Sequence, residues 1–505
     1  MKVLEQPAPQ WAADPAQALI KEAHHRKRRR RLLIVAIAIV VVALALGGVV
    51  LARAGHGSPT PVANTRTAGP TGPVVDKAAF AGQGKVAFVS RSTLWVVDGA
   101  YASTALRQIR TPGLVPRSPS FSPDGKWLAF VASKETSQEI GGDVVSTVLS
   151  SGLWLARSDG SHAHPLRGVA IQAALGWGPN SDLFAISVGK AATVPFGAAT
   201  GVELVSPTGA VRQLVANTHV TGAVWSPDGS AMALSTQTGP SGPDPWTATL
   251  ASYPVDGGPS TVWQSLTASY IVPAGWWPAW GIGYTTVGSG GVPGGDATAD
   301  GSPLFAVARP EATPRPLGNT LENGSAGPPS ASVTGWLAFV DETNGDGGGR
   351  TIWQGKQVVV CSPVTTECST VPHPAGTVTV DPVWSPNGAA LAYAQGPVGP
   401  GWYSQQAVAT WYNAHELRVF DPASGSTSRA PQNPGATVPR WSNDMKNLLY
   451  VSNNGLWLGT TTATAPVEIA QPLFGGAWPA FYGQVAFSSQ FSWTSNSRSG
   501  GTSVG

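Results

Sequence analysis

The chain is 505 residues long with 61 Gly and 44 Pro, and only 12% of its residues are charged, for a formal net charge of +3. That charge is unevenly placed: residues 1–53 hold 9 of the 31 Lys and Arg and 3 of the 28 Asp and Glu, leaving 22 against 25 beyond them. A body so sparsely and slightly negatively charged excludes nucleic-acid backbone binding as its business.

In chain order, residues 1–31 form a short segment ending in the basic run Arg26 to Arg31. Leu32–Ala52 follows as 21 uncharged, mostly aliphatic residues. At about 1.5 Å per residue this is about 31 Å of helix, the thickness of a bilayer core. Positive charge on its N-terminal side predicts a single-pass transmembrane helix with the N-terminus cytoplasmic and the rest extracytoplasmic. A cleaved signal peptide is the alternative, because Ala52-Arg53-Ala54 resembles an A-x-A site. The basic run itself is explained by topology and anionic lipid contact. Residues 53–79, rich in Pro, Gly, Thr and Ala, read as a flexible linker.

From residue 80 to 493 one phrase recurs. It is Phe121-Ser122-Pro123-Asp124-Gly125 before Trp127-Leu128-Ala129-Phe130, then Trp225-Ser226-Pro227-Asp228-Gly229 before Met232-Ala233-Leu234, then Trp384-Ser385-Pro386-Asn387-Gly388 before Leu391-Ala392-Tyr393. Worn copies begin at Trp177 and Trp441. Pro presets φ for the first central turn position, Asp or Asn tolerates the second, and Gly takes positive φ as the chain reverses. A second signature follows each copy, as in Leu94-Trp95-Val96, Leu153-Trp154-Leu155 and Leu456-Trp457-Leu458. Each unit of about 50 residues is thus two hairpins, a four-stranded antiparallel meander, and a series of such units stacks into an array.

These repeats resemble the WD-repeat-like units of TolB-type β-propellers, also found in the propeller domains of prolyl oligopeptidases. The resemblance implies an all-β propeller of four-stranded blades over 80–493; residues 494–505 read as a disordered tail. Nodes fall near Phe80, Phe121, Trp177, Trp225, Trp277, Val333, Trp384, Trp441 and Trp478. Gly84-Lys85-Val86-Ala87-Phe88 mirrors Gly483-Gln484-Val485-Ala486-Phe487, so the first and last nodes share a blade and the expectation is eight blades. Seven is the alternative, because the nodes near Trp277 and Val333 lack the turn residues.

The long insertions are Lys134–Ser151, Gly189–Thr200, Gln237–Thr247, Gly288–Pro303, Asp341–Gly355 and Gly396–Ala414, all between the second and third strands of a blade. Adjacent strands run in opposite directions, so these insertions share one face while the tight turns share the other. In Gly396–Ala414, Trp402, Tyr403, Trp411 and Tyr412 suit a contact with a protein or glycan, or a plug for the propeller mouth. Glu342, Asn344 and Asp346 imitate the start of a calcium loop, although Trp353 stands where the closing acid belongs; a Gly-rich hairpin loop is the competing reading. Cys361 and Cys368 flank a six-residue hairpin loop and, in an extracytoplasmic setting, predict a disulfide.

No catalytic residue is assigned. A G-x-S-x-G elbow after the propeller is missing, Asn323-Gly324-Ser325-Ala326-Gly327 only imitates one, and His162 and His164 have no completing metal ligand. The first reading is therefore a membrane-anchored, non-catalytic binding or scaffold module for a protein or cell-envelope component. An envelope hydrolase or lyase with its site at the propeller mouth is one alternative, calcium being its possible cofactor. A sensory ectodomain is the other, and it needs a separate membrane partner because 31 residues cannot hold a kinase.

Overall fold

One hydrogen-bond pattern repeats through the computed structural model of this chain. Ser122 Oγ donates to Asp124 Oδ1 (2.6 Å) and accepts from Trp127 N (2.9 Å), while Gly125 N donates to Ser122 O (2.9 Å). Ser226 and Asp228 repeat the first two bonds at 2.7 and 2.9 Å, Ser385 and Asn387 at 2.8 and 3.0 Å, and Ser442 and Asp444 at 2.6 and 2.9 Å. Gly125, Gly229 and Gly388 sit at φ of 69°, 71° and 70°, where a Cβ is disfavoured.

The structure describes residues 72–100, 105–140, 143–189, 199–238, 247–267, 269–288, 301–320, 327–342, 355–398, 410, 413–430, 432–460, 465–473 and 489–495. The expected anchor at 32–52, the segment before it and most of the linker and tail lie outside these. Among the described residues no helix is long and apolar enough to cross a membrane. Residues 70–505 form one compact unit.

Each turn joins the first two strands of an antiparallel meander. The Phe121 meander runs Val115–Phe121, Trp127–Ile140, Asp143–Arg157, His164–Arg167. The Trp177 meander runs Ile171–Trp177, Phe184–Val188, Ala199–Val205 and then Val211–Trp225, whose C-terminal half opens the Trp225 meander with Ala231–Thr238, Thr247–Pro254 and Thr261–Thr267. Next come Ser269–Trp277, Gly281–Gly288, Ser302–Val307 and Arg315–Thr320, then Ser330–Ala331, Leu337–Glu342, Lys356–Cys361 and Cys368–Thr370. The Trp384 meander is Thr377–Trp384, Leu391–Pro397, Glu416–Asp421 and Ser426–Arg429, and the Trp441 meander Thr437–Trp441, Asn447–Ser452, Gly455–Thr460 and Val467–Gln471. The closing sheet combines both ends of the chain, with Phe491–Thr494 paired to Gly84–Ser90, followed by Thr93–Gly99 and Ala105–Ile109. This strand order, closed by pairing the last strand with the first sheet, is that of a β-propeller.

Several details depart from the sequence reading. The two nodes without the turn phrase still turn. Ser332 Oγ accepts from Trp336 N (3.0 Å) and lies 2.9 Å from Thr334 Oγ1, so Thr334 stands in for the aspartate in a turn one residue shorter. At the other, Gly281 has φ 78° and a Cβ there would lie 2.1 Å from Val307 O, so only glycine fits. The strand that closes the propeller is Phe491–Thr494, whereas 483–487 lies outside the described residues. Val74–Val75, in the stretch read as linker, adds to the outer edge of the Trp441 meander through Val74↔Gln471 and Val75↔Ala470. In the Lys134–Ser151 insertion, residues 134–140 and 143–151 form a β-ribbon, pairing as far as Ile140↔Asp143.

The core lies in the seams between consecutive meanders. Val358 and Val360 pack with Leu391 and Tyr393, and these with Leu448 and Tyr450, all fully or almost fully buried. Apolar contact leaves neighbouring sheets free to slide, and indole hydrogen bonds remove that freedom. Trp177 Nε1 donates to Ser120 O (3.0 Å), Trp225 Nε1 to Gly176 O (3.2 Å), Trp384 Nε1 to Ser330 O (3.2 Å) and Trp441 Nε1 to Val383 O (3.2 Å). Each acceptor is the residue just before the preceding node.

Trp441→Phe keeps the ring in its seam and leaves Val383 O without its donor, which is expected to cost about 1 kcal/mol; a urea-unfolding midpoint equal to the parent's contradicts this. The turn carboxylates give a second test. Hydrogen bonds from Ser226 and from the Ser230 backbone and side chain lower the Asp228 pKa to about 2. A depressed folded-state pKa contributes stability above the ordinary carboxylate range and loses it as the pH falls through about 2. Asp228→Asn is therefore expected to flatten the fall in thermal midpoint between about pH 4 and pH 2, and parallel acid limbs for the two proteins count against it.

Candidate functional site

Strand direction puts the S-P-D-G turns and the third-to-fourth turns at one end of the meanders. The second-to-third and fourth-to-first connections lie at the other. Within a meander the long connections leave the second strand and return to the third, for instance from Glu342 to Lys356 and from Pro397 to Glu416, and the long connection between meanders, from Gln471 to Phe491, lies at the same end. In the closing and Trp441 meanders the same connection is tight, Ser90 to Thr93 and Ser452 to Gly455.

Two cavities open at this end, in equivalent slots between the start of a third strand and the following fourth-to-first connection. One, of about 380 Å³, is lined by Ser92, Thr93, Gln108, Arg110, Thr111 and Leu114. The other, of about 280 Å³, is lined by Gly355, Lys356, Gln357, His373, Thr377 and Val398 among others. This second cavity stands at the feet of two long connections: Gly355 follows residues 343–354, and Val398 precedes 399–412. Its walls are firmly set. Val358 N donates to Thr379 Oγ1 across the seam (2.7 Å), Thr377 Oγ1 donates to Pro374 O (2.6 Å), and His373 Nδ1 lies 3.0 Å from Thr377 Oγ1. Lys356 is wholly enclosed.

The sequence-predicted residues relate to this cavity only through chain connectivity. Trp402, Tyr403, Trp411 and Tyr412 lie outside the described residues, as do Asn344 and Asp346; Glu342 ends a described strand, and its side chain is not among those described. No group of three or more His, Cys, Asp and Glu that could hold a metal occurs among the described residues. Cys361 and Cys368 do form a disulfide, joining residues opposite each other in the ladder. His162 and His164 sit together in a third-to-fourth turn, His164 Nδ1 lying 2.8 Å from His162 O.

A feature that sequence reasoning passed over lies on the inner strands. Ser118-Pro119, Asp381-Pro382 and Val438-Pro439 each break the ladder two or three residues before a node, and the residue before proline has φ of 51°, 57° and 49°. Proline cannot donate to the ladder, so it marks the bulge, and an X-Pro pair at the same distance before these three nodes was the available signal. Asp381 then reaches the next meander, its carboxylate accepting from Val438 N (3.1 Å) and from the Thr437 hydroxyl. Burial raises the Asp381 pKa and lowers that of Arg440, and each charge opposes the other's shift. The pair holds strained backbone in place between two blades, next to the seam that the second cavity's meander also shares.

No protein-family model matches the sequence, and no curated protein does. Among solved structures the chain is similar to an oligogalacturonate lyase in complex with manganese, at 14% identity over 79% of this chain and 100% of that one, with a TM-score of 0.41. It is similar to TolB from Acinetobacter baumannii at 13% identity over 68% and 62% of the two chains, with a TM-score of 0.31. A Pyrococcus horikoshii acylaminoacyl peptidase aligns at 8% identity over 80% and 54%, with a TM-score of 0.40. At these identities the likeness is one of fold alone.

Proposed function

We propose that this chain is an eight-bladed propeller, tethered to a cell membrane by residues 32–52, that acts as a non-catalytic binding or scaffold module. Its partner is a protein or cell-envelope component held on the face with the long connections. One observation carries the reading. The long connections and both cavities share one end of the meanders, while the other end is closed by short turns. A rigid frame with variation confined to one face is the arrangement of a binding surface.

Two experiments test it. Protease added to intact spheroplasts is expected to remove the propeller and spare the N-terminal stub; a propeller protected until lysis reverses the topology. Replacing Trp402, Tyr403, Trp411 and Tyr412 with Ser is expected to leave the thermal melt nearly unchanged and to abolish most crosslinking of partners to the full-length protein in its own membrane. Crosslinking that survives those changes but fails after exposed substitutions elsewhere on the tight-turn rim places the contact on the opposite face. A melt that collapses makes the aromatics a plug.

A further inference from the structure

The ribbon raised by the Phe121 meander is longer than its blade requires. Its strands pair from Trp127↔Arg157 to Ile140↔Asp143. The inner strand accompanies them only as far as Ser133, and the outer strand only from Leu153 to Leu155. Residues 134–140 and 143–152 thus form a two-stranded arm, about 23 Å long at 3.3 Å per residue, on the same side as the long connections. Among the described residues no strand pairs with either outer edge of this arm. An isolated two-stranded ribbon is marginal in water, and each free edge offers a row of backbone donors and acceptors.

The two edges are not alike. Lys134-Glu135-Thr136-Ser137-Gln138-Glu139-Ile140 carries three charges, and self-pairing about Ser137 opposes Glu135 with Glu139 twice. Asp143-Val144-Val145-Ser146-Thr147-Val148 carries one charge, at its end, and four of its six residues are β-branched. Pairing this edge antiparallel with a copy of itself about Ser146 sets Val144 opposite Val148 and Val145 opposite Thr147, so no like charges meet. From Val144 to Val148 it has none of the Lys, Pro or charge that normally blunts an edge. The regular run ends at Leu149, the extra residue where Lys134 pairs Ser150 and Glu135 pairs Val148. Val148 and Leu149 are 47% and 46% exposed.

We propose that the Asp143–Val148 edge is an association surface for a second copy of this chain. Two arms add edge to edge about a two-fold axis and make a four-stranded ribbon, an isologous contact built by strand addition. The surface is separate from the aromatic segment assigned above to a partner, and it stands whether or not that assignment does. Six residues bury less than the roughly 1,000 Å² of a durable interface, so the dimer is weak and depends on concentration.

Sedimentation of the full chain in mild detergent, across a concentration series, tests this. The parent is expected to show a reversible monomer–dimer equilibrium. Ser146→Lys, which sets two ammonium groups opposite each other at the axis, is expected to weaken it about tenfold or more with an unchanged melt, whereas Ser137→Lys on the other edge leaves it as it was. A register test needs no change in affinity: Val145→Cys and Thr147→Cys chains are expected to give a disulfide-linked dimer when mixed and neither one alone, the native cysteines being paired already. A parent that stays monomeric throughout overturns the proposal, as does dimerisation indifferent to Ser146→Lys. So does capture of a different protein's strand by an otherwise monomeric chain. Loss of partner crosslinking in the aromatic variants with the dimer intact bears on the first reading and leaves this one standing.

Discussion

At four nodes the tryptophan bonds backwards, to the carbonyl that precedes the node of the sheet before it, and the registration of those seams follows from that reach. A ring of sheets joined by short connections has no covalent reason to keep its seams aligned. Seams of Val, Leu, Ala and Phe supply cohesion of about 1.5–3 kcal/mol for each fully buried large side chain, but that cohesion is non-directional. An indole N–H held 3.0–3.2 Å from one carbonyl makes slippage costly, because a slipped seam strands a buried donor and acceptor together. The closing seam lacks this device, since Phe121 has no indole N–H. There the Phe121 backbone N–H donates to Ser492 Oγ (3.3 Å), and Trp493 Nε1 is spent inside its own sheet on Gln83 O (2.8 Å). The closing sheet's other seam, with the Trp441 meander, is reinforced by the N-terminal segment. Val74–Val75 lies on the outer edge of the Trp441 meander, and Phe80 is fully buried with Leu449 and Leu456 of that meander and Val86 and Phe88 of the closing one. The seam that joins the two ends of the chain is thus closed by a strand from each end.

The same registration explains why length varies on one face alone. The tight turns touch each other from sheet to sheet. Asn180 Nδ2 donates to Asp228 O (3.3 Å), Thr334 Oγ1 to Gly388 O (3.1 Å), and Asn443 N to Ser495 Oγ (2.7 Å). An inserted residue would break its own Ser–Asp network and also its neighbour's contact. At the opposite end the second-to-third connections lie between strands whose pairing is already set, so added residues disturb neither seam nor ladder. The cost of a longer loop grows only as the logarithm of its length. Insertions therefore collect there, and the Phe121 meander shows the limit of this freedom in a connection that continues as ribbon.

The fold was legible because its signals are local. Pro, Asp and Gly in a four-residue turn, followed by an apolar run, specify a hairpin without reference to anything distant, and the spacing of such turns specifies the array. What the sequence hid is non-local or degenerate. Thr334 performs the aspartate's part at one node through a hydroxyl, and no turn motif distinguishes it from an ordinary threonine. The X-Pro bulges were written at Ser118, Asp381 and Val438, but their meaning depends on the strand being innermost. The closing strand was sought at 483–487, where the sequence copies 84–88, because similarity finds like segments; closure instead requires a segment complementary to 84–90, and Phe491–Thr494 is that segment. Neither Lys356 nor the cavity it helps to line can be read in one dimension, because the cavity's walls come from two meanders.

The disulfide fits the same logic of compensating a local deficit. Its meander has the shortest inner strand, Ser330–Ala331, and the shortest outer strand, Cys368–Thr370, so its ladder holds fewer hydrogen bonds than its neighbours'. Its turn is also the shortened one at Ser332. A blade so poorly laddered is where local opening would begin. The Cys361–Cys368 bond joins its third and fourth strands at the tight-turn end, and Val358 N bonded to Thr379 Oγ1 ties its third strand to the next meander near the other end. Between those two fixings the strand from Lys356 to Cys361 is held at both ends. That strand forms one wall of the second cavity and supports one of the two long connections that meet there. The staple thus steadies the blade that most needs it, and through that blade it steadies the surface to which a binding role is assigned.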